Sequence, residues 1–178
     1  MSHIRRFLFT KKALVIISGV IVIIIGSIVV LSLIRQRDVT KKPDNNTTQN
    51  KTTETPKYRT VLPNNKSTDE IGGWTRVSPP NNDPVYAYAD KIGNTPISVS
   101  QQPLPKSFKD NVDGQLAELA KKFNATTKID AGNTSIYVGT SAKGPQSAIF
   151  TKDELLILIK SKNKIDDTEW IKYAESLN

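Results

Sequence analysis

The sequence predicts an α+β protein: a single N-terminal transmembrane helix, then a small two-layer domain of antiparallel strands covered by helices. Three observations predict it. Leu14–Ile34 is an uncharged apolar run, the stretches 85–100 and 126–151 alternate apolar and polar residues between turn signals, and the stretches 108–123 and 170–177 carry apolar residues at helical spacing.

The run "LVIISGVIVIIIGSIVVLSLI" holds 21 residues. As a helix it extends about 31 Å, close to the ~30 Å hydrocarbon core of a bilayer. Ile and Val surround every face, and only Ser18, Gly19, Gly26, Ser27 and Ser32 interrupt them, so the polar stripe of a globular core helix is missing. The run exceeds the core of a typical cleaved signal peptide, and "SLIRQRDV" after it has no small-residue cleavage site. With no Cys in the chain, lipid attachment through cysteine and disulfides are excluded together. Arg5, Arg6, Lys11 and Lys12 precede the run, and Arg35, Arg37, Lys41, Lys42 and Lys51 follow it, so positive charge alone does not orient it. The short basic leader, residues 1–13, is expected in the cytoplasm. Everything able to fold lies downstream, which is the layout of a signal anchor with its C-terminal domain outside.

Residues 35–71 read as a flexible polar linker, because from Arg35 to Lys57 the one large aliphatic side chain is Val39. Such composition does not bury enough apolar surface to offset the ~1–2 kcal/mol per residue of backbone ordering. Asn46-Thr47-Thr48 and Asn50-Lys51-Thr52 are glycan-acceptor triplets that arise by chance in a segment this rich in Asn and Thr. The formal net charge of +8 divides unevenly: +4 for residues 1–12, +3 for 35–57 and +1 for 58–178. The basicity is juxtamembrane, suited to anionic headgroups, and it argues against a nucleic-acid-binding domain.

The folded domain is expected over 72–178. Gly72-Gly73 releases the chain and Trp74 pins the entry, after which "SPPNNDP" breaks regular structure. "VYAYADKIGNTPISVS" reads as a hairpin turning at Gly93-Asn94. Phe108, Val112, Leu116, Leu119, Ala120 and Phe123 share one face of a helix that Gly114 weakens. Strands return with a turn at Ala131-Gly132-Asn133 and another at Lys143-Gly144-Pro145. Thr151 and Glu154 have capping-box spacing ahead of "LLILI", which predicts a helix over 155–159. Asp166 and Glu169 repeat that spacing, and Trp170, Tyr173, Ala174 and Leu177 form the stripe of a closing helix.

The chemistry available is narrow. The single His, His3, lies in the leader, so Ser-His-Asp and Cys-His nucleophiles and the usual zinc sites do not fit residues 58–178. Ser141 and Lys143 leave a Ser-Lys arrangement conceivable, although a solvated turn explains them as well. Asp69/Glu70, Asp153/Glu154 and Asp166/Asp167 are adjacent carboxylate pairs, and for the last two helix starts account for the acids. No calcium loop or phosphate-binding glycine motif is present, so no catalytic, cofactor-binding or metal-ligating residue is assigned. Tyr86 and Tyr88 lie on one strand face. If Val85, Ala87 and Ala89 face the core, both rings point outward as a partner-contact patch; if the tyrosines face the core, the patch disappears.

In layout the chain resembles small single-pass bacterial envelope proteins with an N-terminal anchor and a short extracytoplasmic α+β domain. That resemblance is one of organisation and carries no functional residue. The architecture itself, a domain poor in catalytic chemistry on a flexible anchor, leads to the expectation of a non-enzymatic binding or accessory protein of the cell envelope, held in the bilayer by residues 14–34, with another envelope protein as the candidate partner. The alternatives are a carboxylate- or Ser/Lys-dependent enzyme acting on envelope polymers and a regulatory subunit of a membrane complex.

Overall fold

The computed structural model describes residues 53–178. The expected leader, the span Leu14–Ile34 and residues 35–52 of the linker lie outside the described residues. No helix among the described residues is long and apolar enough to cross a membrane. The sheet domain comprises the described part of Gln49–Arg76 together with Pro84–Asn178.

Seven antiparallel strands form one sheet in the order β1-β2-β3-β7-β6-β5-β4. They are β1 (Thr75–Arg76), β2 (Tyr86–Ile92), β3 (Thr95–Pro103), β4 (Thr127–Ala131), β5 (Thr134–Thr140), β6 (Gln146–Lys152) and β7 (Leu155–Ser161). A 3-10 turn at Lys106–Phe108 and helix α1 (Val112–Lys122) connect β3 to β4, and helix α2 (Asp167–Ser176) closes the chain. Two hairpins turn through Gly93-Asn94 and Gly132-Asn133, with positive φ at the glycine, +55° and +65°. Glycine first in a two-residue loop is what a turn matching strand twist requires.

The helix expected over 155–159 is instead β7, the strand in the middle of the sheet. Leu155–Ile159 are buried on both faces, so the apolar run shows no alternation and periodicity does not separate it from a helix. Thr151 and Glu154 do not cap anything. Asp153 and Glu154 form the β6–β7 turn with φ of +47° and +60°, left-handed at both positions although neither is glycine.

The domain is also not two-layered. Side chains alternate across a strand, so register sorts them into two faces. On the first, Val99, Ile157, Ile159, Phe150, Val138 and Ile136 join the buried cluster that contains Trp170, Tyr173, Ala174 and Leu177 of α2. On the second, Ile149, Leu156 and Leu158 are buried outside that cluster, as are Leu116, Leu119 and Ala120 of α1. The helices therefore lie on opposite faces, and α1 lies against β5 and β6. Asn111 caps α1, its side chain accepting from the Gly114 amide at 2.9 Å. Asp166 precedes α2 without a side-chain cap; Glu169 bonds Lys172 at 2.7 Å in place of completing a box.

The folded region begins earlier than Gly72. Val61 is fully buried and Ile71 nearly so. Leu62 and Asn178 exchange both backbone hydrogen bonds at 3.1 Å, Asn64 donates to the Ser176 carbonyl at 2.8 Å, and Pro63 bridges Leu177. Ser67 and Glu70 form a reciprocal box: the Ser67 amide donates to Glu70 Oε2 at 2.6 Å, and the Glu70 amide to Ser67 Oγ at 3.3 Å. These bonds hold the Glu70 carboxyl below its ordinary range. The stretch reads as linker because few apolar residues, widely spaced, fasten it.

Candidate functional site

The polar side chains buried in the first face fasten segments to one another. Gln101, fully buried in β3, accepts from the Val61 amide at 3.0 Å and donates to the Val61 carbonyl at 2.7 Å, standing in for a neighbouring strand. Gln146 does the same for α2, accepting from the Ile165 amide at 2.7 Å and Trp170 Nε1 at 3.2 Å. Tyr173 OH donates to Asp90 Oδ2 at 3.1 Å and receives Tyr88 OH at 3.2 Å, while Lys66 pairs with Asp90 at 2.8 Å. Burial raises the Tyr88 and Tyr173 phenols well above their ordinary range, so both stay neutral donors at any physiological pH.

Tyr86 and Tyr88 therefore occupy the core, not the surface. Tyr86 is 0 % and Tyr88 3 % exposed; Trp74 meets Tyr88 edge-on at 4.9 Å, and the Tyr58 ring lies 5.5 Å from Tyr86. The outward-facing patch considered from sequence is replaced by the other outcome of the same alternation. Tyr86 OH is buried without a hydrogen-bond partner among the described residues.

The carboxylate pairs do not meet. Asp69/Glu70 lie in the entry segment, Asp166/Asp167 open α2, and Asp153/Glu154 tip the β6–β7 turn. That turn, with Gly132-Asn133 and the Glu175 end of α2, lines a cavity of about 470 Å³ at one end of the sheet. Among the described residues no group of three His, Cys, Asp or Glu is disposed to hold a metal. Ser141 and Lys143 are exposed in the β5–β6 turn, where the Gly144 amide closes onto the Ser141 carbonyl at 2.9 Å.

The second face carries an arrangement that residue order does not display. One register row crosses five strands as Ala89, Ser98, Lys160, Ser147 and Gly139. Lys160 stands in the central strand with Ser98 and Ser147 directly opposite it on either side. Burial lowers the Lys160 amine below its ordinary range. A charge in "LLILIKS" is the one sequence signal that this position differs from its neighbours; the serines become its neighbours only through strand pairing.

No family model, curated protein or solved structure matches this chain.

Proposed function

We propose that this chain is a single-pass, membrane-anchored protein of the bacterial cell envelope whose extracytoplasmic domain binds another envelope component and performs no catalysis of its own. The observation that carries the reading is the unequal cover of the sheet. Its first face is filled by α2 and the entry segment, whereas on the second α1 lies against β5 and β6 and, among the described residues, the row of Ala89, Ser98, Lys160 and Ser147 stays exposed or half-buried beside the buried Ala87, Ser100, Leu156 and Leu158. The buried polar groups hold segments together and do not converge on a cleft, which suits a rigid binding scaffold better than a reaction centre. The apolar run at 14–34 and the polar stretch after it supply the anchor and tether for such a scaffold.

The test is crosslinking of intact cells with a membrane-impermeant lysine-reactive reagent, followed by mass spectrometry. Lys91 and Lys106 are exposed, as is Lys143. Reproducible links from Lys91 to an envelope component are expected before lysis. Labelling of these lysines only after lysis overturns the extracytoplasmic assignment, and labelling without links overturns a protein partner.

A further inference from the structure

The row around Lys160 combines features that surface lysines lack together. Its neighbours in β7, Leu155–Ile159, are all buried, and Lys160 is half-buried in the same strand. It makes no hydrogen bond or ion pair with any described residue, and desolvation alone perturbs it. An unpaired, partly desolvated ammonium in a central strand is unfavourable unless something compensates it.

Its cross-strand partners have the same unused capacity. Side chains directly opposite on paired strands have Cβ atoms about 4.5–5.5 Å apart, within reach of one small ligand. The hydroxyls of Ser98 and Ser147 make no bond to described residues. Ser100, two residues on from Ser98 along β3, and Ser161, next to Lys160 on the other face, do: Ser100 Oγ donates to the Leu158 carbonyl at 3.1 Å and Ser161 Oγ to the Asn163 carbonyl. Three donor groups thus stand side by side without partners among the described residues.

The row also has a shape. At one end a Cβ on Gly139 would sit 2.7 Å from the Asn124 carbonyl oxygen, so the backbone after α1 crosses there and walls it off. At the other end Ala89 is exposed at β2. Between them no side chain but Lys160 exceeds a hydroxymethyl group. The furrow is therefore closed at one end and open at the β2 end, which fits the end of a ligand better than a chain passing through. Lys91 follows Ala89 on the same face, and Lys162 follows Lys160; both are exposed.

We infer that Lys160, Ser98 and Ser147 form a binding site for a phosphoryl group, held at the closed part of the furrow with its organic substituent leaving over Ala89. The ammonium and two hydroxyls offer up to five donors around one point, matching the several acceptor oxygens of a tetrahedral oxyanion. A planar carboxylate uses fewer of them. The inference deepens the binding reading above by naming the chemistry of the ligand.

The experiment uses the full chain in detergent micelles with lysine labelled by carbon-13 at Cε. Inorganic phosphate is titrated at constant ionic strength against chloride. The Lys160 signal should shift saturably and its titration midpoint should rise, since a bound anion favours the charged amine. Lys160→Met, which removes one lysine signal, identifies the Lys160 resonance. The Ser98→Ala/Ser147→Ala pair, which leaves the lysine in place, should weaken binding about tenfold, equivalent to ~1.4 kcal/mol. Lys160 moving in step with Lys91 and Lys162, acetate binding as well as phosphate, or the double alanine variant binding unchanged each overturns the site. Glycerol 3-phosphate and vesicles of phosphatidylglycerol in phosphatidylcholine separate a soluble or polymer-end phosphate from a lipid headgroup. Since the readout is taken on purified protein, it fails independently of membrane orientation.

Discussion

The two faces of one sheet have been treated differently by the same chain. The first is filled by large side chains, and its polar atoms are almost all paired: Gln101 with Val61, Gln146 with Trp170, Tyr173 with Asp90. The second is buried at Ile149, Leu156, Leu158 and Ser100, and along the next row gives way to alanine, serine, glycine and a lysine without a partner among the described residues. Stability and interaction have been separated by strand parity. On the first face every inward residue of β3, β6 and β7 builds the fold, whereas on the second Ile149, Leu156 and Leu158 do so and Ser98, Lys160 and Ser147 in the next row are only half-buried.

The comparison breaks first at Trp170. Trp170→Ala removes a fully buried indole and leaves Gln146 Oε1 short of a donor, so a loss of about 3–5 kcal/mol is expected in urea denaturation. Leu119→Ala, under α1 on the second face, should lose about 2–3 kcal/mol. A greater loss at Leu119 than at Trp170 overturns the ranking of the faces.

Next comes the entry segment. Gln101→Leu keeps the volume but orphans the Val61 amide and carbonyl, with an expected loss of about 2–4 kcal/mol. Hydrogen exchange should show the Val61 amide losing protection beyond the global change. Unchanged protection there means the segment is not held by Gln101.

A smaller effect of opposite sign is expected at the β6–β7 turn. Glu154→Gly relieves a left-handed backbone worth about 1–2 kcal/mol, offset partly by ~0.5–1 kcal/mol of glycine entropy, for a net gain of roughly 0.5–1 kcal/mol in thermal unfolding. Were Glu154 the third residue of a helix cap, the same change would destabilise, so the sign alone decides between strand and helix.

The smallest effect sharpens the contrast at Lys160. Its folded-state pKa lies below the ordinary value of 10.5, so the unfolded chain binds more protons between the two values and stability rises with pH across that window. Below the window the charged amine is disfavoured by burial. Lys160→Met should therefore raise the denaturation midpoint slightly near neutral pH, and the gain should shrink as pH approaches 10.5. A gain independent of pH means that charge is not the cause.

These two faces were unequally legible in the sequence. The hairpin at Gly93-Asn94, the turns at Gly132-Asn133 and Gly144, and the α2 stripe of Trp170, Tyr173 and Ala174 were all readable, because each rests on neighbours within a few residues. β7 was not. A strand buried on both sides shows no alternation, and the Thr151/Glu154 spacing counterfeits a cap. The entry segment was misread since its attachment depends on Gln101 and Asn178, distant in the chain. The Lys160 row was invisible for the same reason at greater range: four separate strand pairings bring its members together.

The reciprocal pairing of Leu62 with Asn178 fixes where the molecule can be handled. Leu62 and Asn178 lie together on the α2 side, near the sheet end that the Asp153-Glu154 turn occupies. A fluorophore or affinity tag added after Asn178 is therefore expected beside Leu62 and α2, on the face opposite Lys160.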